Sequence, residues 1–234
     1  MKSDPPVLFR SPISIPRWKL AILSAVGVLM ATTLIQGVIG RLAEGKILPF
    51  ETDVLSAVLD AVSVGALAVV VLSWLGVRRK QSGTRLGRRY TLLLTADVAA
   101  LSVTISMLIF LAPERFGIKE EPSFVILRST HGTNLLLFLI AIVVIGPMSE
   151  ELLFRGLVYN AIVTCSSPVI AAIISSAFFA LAHLNLILFV PIFCVSLLLT
   201  YLYQRSGSLY PSMIVHGLVN ASTAVEIMLR VNNR

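Results

Sequence analysis

Apolar residues in this chain come in long blocks, not at the 3.6-residue spacing of a surface helix or the alternation of a half-buried strand. The blocks fall near residues 18–40, 54–77 and 90–112. A fourth runs from Asn134 into the stretch GPMSEELLFRG at 146–156, and others fall near 168–188, 191–203 and 211–230. Helices that cross a bilayer need about 20 mostly apolar residues, so the blocks read as membrane spans. The pattern predicts an all-α fold, a polytopic membrane helical bundle of about seven transmembrane helices. Turn signals punctuate it: four prolines in residues 1–17, SSP at 166–168, and QRSGSLYP at 204–211, where Pro211 suits the first turn of the last helix.

Composition sharpens this picture. The 234 residues are 56% hydrophobic and only 13% charged, with mean hydropathy +0.90, whereas about a quarter of a soluble domain is charged. The net charge of +7 does not mark a nucleic-acid partner. The basic residues sit in connectors and tails, and no basic face carries interleaved aromatics for stacking on bases. The densest cluster, RRKQSGTRLGRRY at 78–90, reads as a cytoplasmic loop against anionic lipid headgroups. That loop places the N-terminus in the cytoplasm, the connectors 41–53 and 113–133 outside, and the C-terminus outside. The first block is too long for a cleaved leader and is expected to stay as an anchor. Cys165 and Cys194 form no disulfide framework and no C-x-x-C metal motif.

Ionisable residues inside such blocks face a cavity or a partner, because a charge in hydrocarbon costs several kcal/mol. Glu151 and Arg155 stand at i, i+4 with the acid first, the favourable order for an ion pair. Glu150 points about 100° away. It is left without a local cation, as a carboxylate available for base chemistry. Pro147 removes a helix hydrogen bond just before it. Phe179 and His183 share a helix face at i, i+4, and so do His216 and Asn220, with Gly217 allowing a close helix approach. Counting residues from the turns at 162–167 and 206–209 puts Glu150 and His183 within about 5 Å in depth and His216 about 12 Å in. The three are therefore expected to share a cavity. Asp60, Asp97 and Glu226 lie at other depths and read as structural contacts. Ser175 and Ser176 read as packing residues, and His131 lies in a loop.

Three ordered motifs carry a resemblance. Glu150-Glu151-Leu-Leu-Phe-Arg155 resembles E-E-x-x-x-R, Phe179-Ala-Leu-Ala-His183 resembles F-x-x-x-H, and His216-Gly-Leu-Val-Asn220 resembles H-x-x-x-N. Together they resemble the signature of the CPBP (Abi) family of intramembrane endopeptidases, which includes type II CAAX prenyl endopeptidases and bacteriocin-immunity relatives. The resemblance covers residues 134–225, roughly two fifths of the chain. It divides the chain into a tail plus three spans at 1–133 and a catalytic core of about four helices at 134–234. It implies hydrolysis of a peptide bond in a membrane-associated substrate, prenylated CAAX-type peptides being one candidate class, with the lipid bilayer as the other partner and no nucleic acid. By the same resemblance Glu150 and His183 activate water, His216 and Asn220 stabilise the oxyanion, and Glu151, Arg155 and Phe179 support the site. Metal use stays open. Either no cofactor is required or Zn²⁺ is held by Glu150, His183 and His216. Two other readings stand beside the enzyme: a non-catalytic scaffold or self-immunity protein that keeps the fold, and a proton relay or transporter.

Overall fold

The computed structural model describes residues 87–111 and 127–232, together with positions 19, 23, 26–27, 58, 61–65 and 67. Most of the first two expected spans, the loop at 78–86, most of the connector 113–133 and Asp60 lie outside these residues. Among the described residues the regular structure is helical throughout: α1 (Arg88–Leu111), α2 (Gly132–Ile162), α3 (Pro168–Ala182), α4 (Phe189–Ser206) and α5 (Tyr210–Asn232). Four of these, α1, α2, α4 and α5, are long and apolar enough to cross a membrane.

The distribution of side chains is that of a protein dissolved in lipid. Leu92, Leu93, Leu101, Ile140, Val169, Ile173 and Leu229 are exposed, while Ser102, Ser149, Glu151, Arg155, Asn160, Ser175, Ser176, Ser196, Thr200 and His216 are buried. Water would favour the reverse. In hydrocarbon the apolar side chains lose nothing by facing outward, and the polar ones must find partners within the bundle. One apolar cluster joins Leu153, Phe154, Leu157 and Val158 of α2 to Ala171 and Phe179 of α3 and Tyr203 of α4. A second joins Phe138 of α2 to Ala224 and Ile227 of α5. A third ties Val98 of α1 to Val195, Leu199 and Leu202 of α4 and Val215 of α5. A hydroxyl pair, Ser106 Oγ and Thr223 Oγ1 at 2.9 Å, links α1 to α5.

The fifth expected span, 168–188, is shorter than its apolar run suggests. α3 starts cleanly, with Ser167 accepting from the Ile170 N–H and Pro168 in the first turn. It stops at Ala182 after 15 residues, about 22 Å at 1.5 Å per residue. Leu184 takes the left-handed conformation, φ 53°, which a leucine seldom adopts and a helix cannot continue through. Asn185 Oδ1 then accepts from the Ile187 and Leu188 N–H groups. The turn thus satisfies backbone donors within itself, as non-helical chain at membrane depth requires.

Candidate active site

α2 is not a uniform helix. Its turns widen to π geometry at Ala141–Ile145 and again at Leu152–Tyr159, on either side of the α-helical segment Gly146–Glu151. Widened turns free carbonyls from the regular ladder and are frequent at functional sites. Side chains from around the bundle take up several of them. Ser175 Oγ of α3 donates to Phe154 O at 2.9 Å. Asn160 Nδ2 donates to Arg155 O and Gly156 O, both at 3.0 Å, and to Tyr203 Oη of α4 at 2.8 Å. The Ser149 hydroxyl, in the central segment, donates to Ala61 O.

The i, i+4 pair expected in this stretch forms. Arg155 Nη1 donates to Glu151 Oε1 at 2.8 Å, and both side chains are 0% exposed. The guanidinium does more than neutralise. Its Nη2 donates to Ser196 O at 2.9 Å and Ser196 Oγ at 2.8 Å on α4. Its Cζ lies 4.8 Å from the centroid of the Phe179 ring, in cation–π contact. A planar fork with several donors meets these partners at once.

His216 of α5 enters between the two carboxyls. Its Nδ1 lies 3.2 Å from Glu151 Oε1 and its Nε2 3.7 Å from Glu150 Oε2. The two acids, about 100° apart on their helix, thus meet opposite nitrogens of one imidazole. Glu151 Oε1 accepts from Arg155, and a carboxylate offers only acceptors, so the proton of this contact belongs on His216 Nδ1. Glu150 differs from its neighbour. Its side chain is 33% exposed, and Oε2 has no hydrogen-bond partner among the described residues.

Phe179 sits at the centre. Its ring lies edge-on to Phe154 at 5.0 Å and to His216 at 5.6 Å, and tilted against His183 at 4.9 Å between centroids. One phenyl ring therefore touches both imidazoles and the guanidinium. His183 occupies the residue just past α3 and is exposed. Its Nδ1 lies 2.8 Å from Phe179 O. A carbonyl only accepts, so Nδ1 carries the proton and Nε2 is left with its lone pair.

Asn220 lies one turn beyond His216, and its Nδ2 donates to Ile142 O in the first wide turn at 2.8 Å. Gly217 packs on the adjacent carbonyl: a Cβ there would stand 2.7 Å from Val143 O. Gly217→Ala is therefore expected to push α5 away from α2 and destabilise the fold by about 1–3 kcal/mol. Thermal unfolding in detergent measures this.

Among the described residues no three His, Cys, Asp or Glu side chains are grouped so as to hold a metal ion. Glu150, His183 and His216 are all described and do not form the ligand set that a zinc site would need.

Residues 132–222, which hold this whole cluster, match the family model of the type II CAAX prenyl endopeptidase Rce1-like proteins. The segment is similar to the Rce1-like family over that stretch. Two curated relatives overlap the chain. UPF0177 protein YxdF of Lactococcus lactis subsp. lactis (strain IL1403) is 36% identical over 78 residues, 33% of this chain and 42% of the relative. An uncharacterized 24.3 kDa protein of Escherichia coli is 29% identical over 114 residues, 46% of this chain and 52% of the relative. The chain thus spans about half the length of the curated relatives it matches. No solved structure matches.

Asp97 and Glu226 lie outside the Rce1-like segment. Asp97 is exposed on α1, and Glu226 is half-buried on α5, ten residues past His216, or about 15 Å along the axis. Reading the chain alone did not single out Asn160, Ser196 and Tyr203, whose polar atoms tie α2 to α4, or Ser149, which ties α2 to Ala61. Ser149 and Asn160 flank the acidic motif, and a buried arginine needs more acceptors than one glutamate provides. Those were the available signals.

Proposed function

We propose that the chain is an intramembrane endopeptidase that hydrolyses a peptide bond in a membrane-associated, CAAX-type substrate. The observation that carries this reading is the contrast between two adjacent carboxyls. Glu151 is sealed at 0% exposure, and its Oε1 is held by both Arg155 and His216. Glu150 is partly open, and its Oε2 is unpartnered beside an imidazole. A paired acid beside a free one gives a fixed scaffold and an available base.

In the proposed reaction a water oxygen attacks the scissile carbonyl carbon while Glu150 takes the proton. His183, with Nδ1 held by Phe179 O, presents Nε2 to orient that water and share its proton. Negative charge develops on the carbonyl oxygen. His216, backed by Glu151, faces it with Nε2, in its protonated state, as the anion-stabilising group, and Asn220 lies on the same helix face. Collapse of the tetrahedral intermediate breaks the C–N bond, and the proton held by Glu150 passes to the leaving amine. The match of residues 132–222 to the Rce1-like family model supports the same reaction class.

The test uses the full chain in proteoliposomes with membrane-anchored reporter peptides, prenylated and unprenylated. His183→Ala and His216→Ala are each expected to slow cleavage by about 10²–10⁴-fold, with unchanged insertion. Cleavage at the wild-type rate by either variant would overturn the assignment. A faster reaction on the prenylated reporter would assign the CAAX class.

A further inference from the structure

We infer that Asn220 stands in for the backbone donor that Pro147 lacks, and so fixes the position of the segment that carries Glu150 and Glu151. In an α-helix each carbonyl accepts from the N–H four residues on. At the first wide turn the register slips by one, because the Gly146 N–H donates to Ala141 O, five residues back. With that slip, Ile142 O looks to residue 147 for its donor. Residue 147 is proline and has no N–H. A carbonyl stranded inside a membrane protein must be satisfied from elsewhere in the bundle. Asn220 Nδ2 donates to it at 2.8 Å.

The rest of the turn fits this reading. A side chain on α5 reaches a carbonyl of α2 only if the two helices lie close, and Gly217 provides that approach against Val143 O. The same turn of α5 then delivers His216 to both carboxyls. His216, Gly217 and Asn220 thus meet three features of α2: the acids, the Val143 carbonyl and the Ile142 carbonyl. The segment Gly146–Glu151 begins immediately after the gap that Asn220 closes. Its rotation sets where Glu150 points. Asn220 is on this view a positioning residue, acting through Ile142 O and the Pro147 break.

The test is a cycle of Asn220→Ala, Pro147→Ala and the double variant in the full chain. Thermal unfolding in detergent is the first readout, and kcat and KM on a membrane-anchored reporter peptide are the second. Asn220→Ala alone is expected to lower Tm by on the order of 5 °C and to lower kcat with little change in KM. In the Pro147→Ala background the restored N–H at position 147 supplies Ile142 O, so most of both losses should disappear. An equal Tm loss in both backgrounds overturns the inference. So does a kcat loss that persists after Tm recovers, because that marks a direct contact with the reacting atoms. If Asn220→Ala does not accumulate as folded protein, recovery in the double variant supports the inference and failure to recover overturns it. The kcat arm rests on the endopeptidase reading, and the unfolding arm does not. A chain that cleaves nothing but shows the Tm rescue would sink that reading and leave the positioning role standing.

Discussion

Glu150→Gln is expected to lower kcat by about 10²–10⁴-fold, the usual contribution of a general base, while Tm stays nearly constant. The substitution keeps shape and polarity and removes the negative charge with the ability to take a proton. No hydrogen bond to Glu150 Oε2 is lost, because that oxygen has no hydrogen-bond partner among the described residues, and His216 Nε2 stands at 3.7 Å, beyond hydrogen-bond reach. The adjacent position should behave in the opposite way. Glu151→Gln weakens a sealed contact to Arg155 and His216 and should be read first in stability and only then in rate. Single-turnover cleavage beside a melting curve separates the two. A Glu150→Gln protein within tenfold of wild type would remove the base from the mechanism.

The second large effect concerns Arg155. Arg155→Met is expected to cost about 3–5 kcal/mol, the usual consequence of removing one partner of a buried ion pair. Three losses combine. Glu151 stays at 0% exposure without its cation, Ser196 O and Oγ lose their donor, and the Phe179 ring loses the guanidinium against its face. Folded protein should fall sharply in yield, and Tm with it. The double variant Glu151→Gln/Arg155→Met should recover part of the loss, since a neutral pair leaves no stranded charge. Arg155→Lys should not recover it fully, because a single ammonium cannot replace a planar fork across two helices. Unfolding curves for the three proteins check this order.

What the sequence made legible follows from the range of the forces involved. Long apolar blocks predicted α1, α2, α4 and α5 because bilayer thickness imposes length directly. The Glu151–Arg155 pair was legible because i, i+4 geometry is local. The contact of Phe179 with His183 was legible for the same reason, whereas those of His216 with Phe179 and with the acids depend on how α3 and α5 lean on α2. Residue counting placed His216 at a shallower depth than the acids, yet its ring meets both. The widened turns of α2 supply part of the reason, since each shifts the helix register by a fraction of a turn. Pro147 was a visible cue to a break, but nothing local announced that Asn220, 73 residues later, would close it. The end of α3 at Ala182 was hidden for another reason. The run LNLILF after His183 is as apolar as a helix interior, and hydrophobicity alone does not separate a helix from a turn folded around Asn185.

That early stop has a mechanical consequence. A hydrocarbon core is about 30 Å thick and α3 covers about 22 Å of it, while Leu184 and Leu186 just beyond are 92% and 83% exposed. In a bilayer, lipid tails resting on these leucines would have to dip to meet them, thinning one leaflet beside His183. Headgroups and solvent would then approach the imidazole from the flank, and a thicker bilayer would close that approach without touching a single residue.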